Sequence, residues 1–403
     1  MSWEKITLGE LYSVHNGLSK GRKFFGSGYP FLSFSTVFNN YFIPDELVDL
    51  VQSDEKEQKN YSISRGDVFV TRTSETSDEL GMSCVALKDY PRATYNGFTK
   101  RMRPITKDRV LPEYIGYYMR IPSFRGEFQA FSTMTTRASL RNEDLLSLTI
   151  LLPPMEQQIR IAEVLQTYDK LIENNQKQIE LLEEAARRLY KEWFVDLHFQ
   201  GYEDVKIVDG VPEGWTCTTL DSFIKIKSGY AFKSNSFDNN GKFKIVTIKN
   251  VQDGEFDGNK VNRIVEIPAN MPDHCNLVEG DILLSLTGNV GRICTVIGSD
   301  YLLNQRVAKI SSEYPCYTYC LFSSEKMFHD MNNLANGAAQ QNLSPIRTGQ
   351  LQVLKPNEEF LIMFEEMTKP LMHKKILLNK AIIAATQARD RLLPKLMSGE
   401  IEV

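Results

Sequence analysis

The chain has 403 residues, 42% hydrophobic and 24% charged, which is ordinary for a soluble globular protein with room for two or three domains. A formal net charge of −4 excludes a chain that is basic throughout. Any nucleic-acid contact therefore has to come from basic residues gathered on one face. No apolar run is long enough to span a bilayer. The opening "MSWEKITLGELYSV" has an early acid and no apolar stretch before a cleavage site, so it does not read as a signal peptide, and the expected location is cytoplasmic. The six cysteines (Cys84, Cys217, Cys275, Cys294, Cys316, Cys320) form no CxxC pair and read as buried, reduced thiols rather than a zinc site.

Residues 1–152 read as a mixed α/β domain. "GDVFVTRT" and "LTILLPP" have strand character, Leu111–Phe128 holds a helical piece broken at Pro122, and Asn16–Pro30 reads as loop. Residues 153–200 give the clearest signal. Ile161, Leu165, Tyr168, Ile172, Asn175, Ile179, Leu182, Ala186, Leu189 and Trp193 recur at alternating steps of four and three, the seam of a coiled coil. Pro153–Pro154 mark its start. From Ile161 to Trp193 such a helix spans roughly 48 Å at about 1.5 Å per residue, more than the ~34 Å of one DNA turn. Residues 201–355 repeat the first plan, and residues 356–403 give a second long helix with charge at Lys369 and Asp390 in its expected seam.

The repeat is explicit. Pro30–Asn40 pairs with Lys244–Gly254, Arg65–Ser74 with Glu279–Gly288, and Ser139–Pro154 with Asn342–Asn357. Trp3 and Trp215 each stand five residues before a leucine (Leu8, Leu220) and fourteen before a glycine (Gly17, Gly229). A tandem repeat acts as a built-in dimer, and two modules on a spacer suit a ligand with two separated sites, such as DNA. Asn175 and Asn379 each lie near the middle of a long helix. Antiparallel packing in register would bring the two side chains together and fix the pairing.

The run Leu151–Leu197, with Pro153-Pro154-Met155-Glu156-Gln157-Gln158, the Ile161–Ala162–Leu165 step, the Asn-containing helix and Trp193-Phe194-Val195-Asp196, resembles the central region of type I restriction-modification specificity subunits. "ARDRLLPKLMSGEIEV" (Ala388–Val403) is similar to their distal region, and "PEGWTCTTL" (Pro212–Leu220) to the opening of their second target-recognition domain. The second helical region opens "LKPNEEFLIMF", without a second Pro-Pro run. The resemblance implies an α+β fold: two similar target-recognition domains separated by two long helices in an antiparallel coiled coil, pseudo-twofold symmetric. It implies a non-catalytic subunit that reads a bipartite, asymmetric double-stranded DNA target. Two adenine-N6 methyltransferase subunits and ATP-dependent translocase–nuclease (restriction) subunits would be its partners. S-adenosylmethionine, ATP and Mg would belong to those partners, with no cofactor or metal held by this chain. The specificity partner of a fused methyltransferase–nuclease and a coiled-coil protein scaffold are the alternatives.

No nucleotide-binding glycine loop or amino-methylase motif occurs in the chain, and its five histidines have no triad or metal spacing. The repeated Gly-Asp at Asp67 and Asp281 reads as a turn before a strand. Phosphate contact favours Lys, Arg, Ser, Thr and backbone amides, and base readout favours Arg or Lys on guanine and Asn or Gln on adenine. The candidates in the first domain are Lys20, Arg22, Lys23, Ser35, Thr36, Arg72, Thr73, Lys100, Arg101, Arg103, Thr135, Thr136 and Arg137. In the second they are Lys227, Lys233, Lys249, Asn250, Thr287, Asn289, Arg292, Asn304, Gln305, Arg306, Gln340, Gln341 and Asn342. Thr73 and Thr287 are identical at matched positions, whereas Ser35/Lys249, Thr36/Asn250 and Arg72/Leu286 differ, as two different half-sites would require.

Overall fold

The computed structural model describes residues 3–74, 79–106, 108–130, 138–259, 261–335 and 341–403. It divides into two compact units, residues 1–171 with 385–403 and residues 172–384. Each unit joins one mixed domain to a stretch of both long helices.

The first unit is built on an antiparallel sheet in the order Tyr12–Asn16, Thr99–Pro104, Val68–Thr71, Ser83–Val85. A smaller sheet pairs Phe25–Leu32 with Leu50–Val51 and, in parallel, with Thr94–Tyr95. Glu4–Thr7 pairs with Thr149–Leu152 at the foot of the domain. The second unit repeats this strand for strand. Its main sheet runs Ile224–Ser228, Val307–Ser312, Ile282–Ser285, Ile293–Thr295, all antiparallel. Phe243–Val246 pairs in parallel with Tyr301–Leu303, and Thr216–Thr219 pairs antiparallel with Gln352–Lys355.

The central strands "VFVT" and "ILLS" lack apolar alternation because they are buried on both faces. Val68 and Val70 face the core that holds Tyr114, Tyr117, Phe124 and Phe128, while Phe69 faces a second cluster with Leu32 and Tyr95. Ile282 and Leu284 part from Leu283 in the same way. The region Leu111–Phe128 is two helices, Pro112–Tyr118 and the one that begins at Pro122. Proline opens each, where a missing N–H costs nothing.

The first long helix is Met155–Tyr190, widened into a π-helical turn over Lys191–Val195. Every residue of the expected seam is buried or half-buried. Ile161 and Leu165 enter the first unit's core with Leu393, Leu396 and Met397 of the distal helix. Ala186, Tyr190 and Trp193 enter the second unit's core with Leu361 and Phe364. Within each unit the two helices therefore run antiparallel.

The distal helix, Glu358–Met397, corrects the expected seam. Lys369 and Asp390 are exposed and lie off it. The inward face steps regularly through Leu361, Phe364, Thr368, Leu371, Lys375, Leu378, Ile382, Ala385, Arg389, Leu392 and Leu396, all buried or half-buried. The charges it carries are Lys375 and Arg389. Asn379 is off this face as well, and its amide donates to the carbonyl of Lys375 on its own helix at 2.9 Å. Asn175 is buried, but no hydrogen bond joins it to Asn379. The ion pair between Glu183 and Lys375 sets the register in this unit. On it Asn175 stands opposite Ile383 and Asn379 opposite Ile179, about one helical turn apart.

Candidate nucleic-acid interface

In each domain one end of the main sheet collects polar loops. In the first, Arg72 follows the strand Val68–Thr71. Its N–H donates to Phe98 O at 3.0 Å and its carbonyl accepts from Leu140 N at 2.9 Å. Its guanidinium reaches Asn16 Oδ1 at 3.4 Å. Thr73 pairs with Ser139 across a short ladder. In the second domain Leu286 N–H donates to Arg306 O at 3.0 Å, Leu343 N–H donates to Leu286 O at 2.8 Å, and Thr287 bridges to Asn342. The same three segments therefore meet in both copies, and Phe98 occupies the place of Arg306.

Two matched devices hold these ends. The parallel pairs Leu32/Tyr95 and Val246/Leu303 bring the turns after them side by side. Those turns are Ser33–Thr36 with Asn96–Phe98, and Thr247–Asn250 with Asn304–Arg306. The glycines matched in the sequence pack on these turns. A Cβ on Gly17 would lie 2.0 Å from Asn96 O, and one on Gly229 would lie 2.2 Å from Leu303 O. Only glycine allows such an approach. The second device is a hydroxyl at the end of the central strand. Thr71 Oγ1 donates to Glu79 O and accepts from Met82 N, at 2.7 and 2.9 Å. Ser285 Oγ donates to Asn289 O and accepts from Arg292 N at 3.0 Å.

The repeated Gly-Asp is a turn, as the sequence reads. Asp67 accepts from Ser64 N at 2.8 Å and from Arg103 Nε and Nη2 at 2.7 and 2.6 Å. Asp281 accepts from Val278 N at 2.8 Å and from Lys309 Nζ at 2.7 Å. Neither acid is free for general-base work.

The structure separates the expected DNA contacts into two groups. Lys100, Arg101, Arg103 and Asn250 belong to the framework, contrary to their selection from sequence as DNA contacts. Lys100 is buried and its ammonium donates to Asn142 Oδ1; burial pulls its pKa below the usual lysine range. Arg101 is buried over the Tyr95 ring and donates to Ser62 O at 2.7 Å. The hydrogen bond to Asp67 raises the pKa of Arg103. Asn250, 1% exposed, closes its own turn by accepting from Thr247 N and donating to Asp257 O, each at 2.8 Å. Lys20 is tied to Glu57 at 2.7 Å.

Arg22, Lys23, Ser35, Lys227, Lys233, Lys249, Asn289, Gln305, Arg306, Gln341 and Asn342 are exposed, and Thr36, Arg72, Thr73, Thr287, Arg292 and Asn304 half-buried. Arg292 donates to Gln252 Oε1, and its guanidinium faces the Asn289 amide. Arg72 Nε and Thr287 Oγ1 are buried without a partner. Thr135, Thr136, Arg137 and Gln340 lie outside the described residues. Sequence reasoning missed Asn16, Asn96 and Phe98. Phe98 is 56% exposed at the rim, and its repeat match to Arg306 is the signal that could have found it.

Among the described residues no three His, Cys, Asp or Glu side chains gather as metal ligands, and no helix is long and apolar enough to cross a membrane. Five of the six cysteines are buried and Cys217 is exposed. Burial pushes the thiols of Cys84, Cys294 and Cys320 up to about 12.

Two copies of one domain, each ending in a polar rim, define a protein of paired recognition modules. The model of the type I restriction modification DNA specificity domain matches residues 1–184 and 212–347, and the chain belongs to that family. It is 27% identical over 349 residues to the type I restriction enzyme MjaIX specificity subunit of Methanocaldococcus jannaschii, covering 83% of this chain and 79% of that one. It is 22% identical to the HindI specificity subunit of Haemophilus influenzae, with 99% of each chain covered. Among solved structures it is similar in fold to a type I restriction-modification S subunit from M. genitalium, with a TM-score of 0.59, 16% identity and 98% and 96% of the two chains covered.

Proposed function

We propose that this chain is the DNA-specificity subunit of a type I restriction-modification complex, itself non-catalytic, and that each mixed domain reads one half of a bipartite, asymmetric target in double-stranded DNA. The observation that carries this reading is the pair of rims. Their backbones make matching hydrogen bonds, while the side chains presented differ: Phe98 against Arg306 and Ser35 against Lys249. A shared scaffold with different reading groups suits two different half-sites.

The long helices dock two adenine methyltransferase subunits and, with them, translocase–nuclease subunits. In the second unit Leu181, Met367, Leu377 and Ile383 stay exposed on these helices, apolar surface that a docked partner would cover. S-adenosylmethionine, ATP and Mg would be used by those partners, in the cytoplasm. Arg306 is exposed at the rim, and an arginine there suits bidentate contact with guanine, worth about 1–3 kcal/mol of discrimination. Arg306→Ala is expected to relax base preference in one part of the methylated sequence and leave the other part unchanged. Equal loss in both parts, read by mapping N6-methyladenine, would contradict modular reading.

A further inference from the structure

Each unit contains an acid–base–tyrosine knot that ties its domain to both helices, with the tyrosine buried and both acids half-buried. In the first, Asp169 of the central helix accepts from Arg389 of the distal helix at 2.6 Å and from the hydroxyl of Tyr117. The Arg389 guanidinium also lies 5.3 Å from the centre of the Tyr41 ring, and Tyr41 packs on Tyr117 at 5.5 Å. In the second, Glu183 of the central helix accepts from Lys375 of the distal helix. Lys375 Nζ donates to Tyr319 Oη at 3.0 Å and to Gly254 O at 3.1 Å.

Each tyrosine lies on the short helix that follows its main sheet, though not at the same position: counted from the proline that opens each helix, Tyr117 falls on Cys320 and Tyr319 on Gly116. The third contact comes from matched segments, one position apart. Tyr41 directly follows the segment Pro30–Asn40, and Gly254 ends its partner Lys244–Gly254. These segments carry Ser35, Thr36, Lys249 and Asn250. The ion pairs themselves are not repeat images. At the offset that pairs Pro154 with Asn357, Asp169 would match Met372 and Glu183 would match Thr386. Two different ion pairs thus make a similar connection, from a helix pair to a tyrosine of the domain and to the segment that feeds the rim, through Tyr41 in one unit and directly from Lys375 to Gly254 O in the other. Packing alone does not require it, since a buried ion pair is weak evidence of added stability compared with apolar side chains of similar volume.

We infer that Asp169–Arg389–Tyr117 and Glu183–Lys375–Tyr319 are positioning residues that fix each recognition domain's angle on its helices, and so set the gap between half-sites that the protein accepts. This rests on the reading of the chain as a DNA-specificity subunit. The variants Tyr117→Phe, Tyr319→Phe and Glu183→Gln remove one hydrogen bond, two hydrogen bonds and one charge in turn, with little change of volume. Each is co-expressed with the methyltransferase partner in cells carrying targets whose gap varies by single base pairs. The complex with the parent chain is expected to methylate at one gap. The variants are expected to lose about tenfold of that preference through methylation at neighbouring gaps, with the half-site bases unchanged and, for Tyr117→Phe and Tyr319→Phe, little change in melting temperature. Unaltered gap selectivity, or a uniform loss of methylation together with a fall in melting temperature, would overturn the inference. If the parent chain methylates no target, the DNA-specificity reading fails instead. The knot is then judged by amide exchange in the isolated chain: Tyr319→Phe should speed exchange around Gly254, and unchanged exchange there would refute it.

Discussion

At the scale of residues, the difference between a reading group and a framework group is burial. Arg101 and Arg306 have the same side chain and lie near the same end of matched sheets. One is packed over Tyr95 and spends its donors on Ser62, while the other is exposed at the rim. Lys375 shows how far the framework can hold a charge. Burial alone would pull its ammonium below the usual lysine range, but Tyr319 and Glu183 outweigh that and raise it. A lysine raised on folding contributes stability that is whole below its unfolded value, about 10.4. That contribution is lost as pH rises through the folded value. Denaturant unfolding between about pH 9 and 12 should therefore show the parent chain losing stability faster than Lys375→Met above the usual lysine range. Parallel curves would mean that the pair with Glu183 holds no charge worth keeping. Trp215 illustrates a smaller debt. Trp3 Nε1 donates to Gln157 at 3.0 Å, but the matched position in the second copy is Phe360, and Trp215 Nε1 is left buried without a partner.

At the scale of elements, the central helix was legible because steps of four and three run unbroken along one seam, which the structure uses as the inward face, although Ile159, Leu171 and Leu181 lie off it. The distal helix was not. Its inward face carries Lys375 and Arg389, while Ile362, Met367, Leu377 and Ile383 point outward, so hydrophobicity alone places the seam wrongly. The misplaced seam also produced the expected Asn175–Asn379 contact. With the two side chains about a turn apart, Asn175→Ala and Asn379→Ala should be additive in stability within about 0.5 kcal/mol. A coupling well beyond that in a double-mutant cycle would show that they do meet. The strands Val68–Thr71 and Thr149–Leu152 were legible as strands, whereas Asn16–Pro30, read as loop, holds most of the strand Phe25–Leu32, and the basic residues of Thr99–Pro104 could not be told from rim residues. Their partners Asp67, Ser62 and Asn142 are brought to them only by the fold.

At the scale of the whole molecule, the internal repeat carried most of what the sequence revealed. It showed two like domains, and the structure gives them the same strand order and the same joins at the rim. The identity of the reading groups was only partly legible. Exposure at the rim depends on which segments the parallel strand pairs bring together, and Phe98 emerged only through its match to Arg306. The central claim is that the two rims read two different half-sites for a partner methyltransferase. The most direct measurement is co-expression with that methyltransferase, followed by long-read mapping of N6-methyladenine across the host DNA. The account predicts one asymmetric, two-part sequence with a fixed unspecified gap. Absence of new methylation, with both proteins soluble and associated, would contradict it.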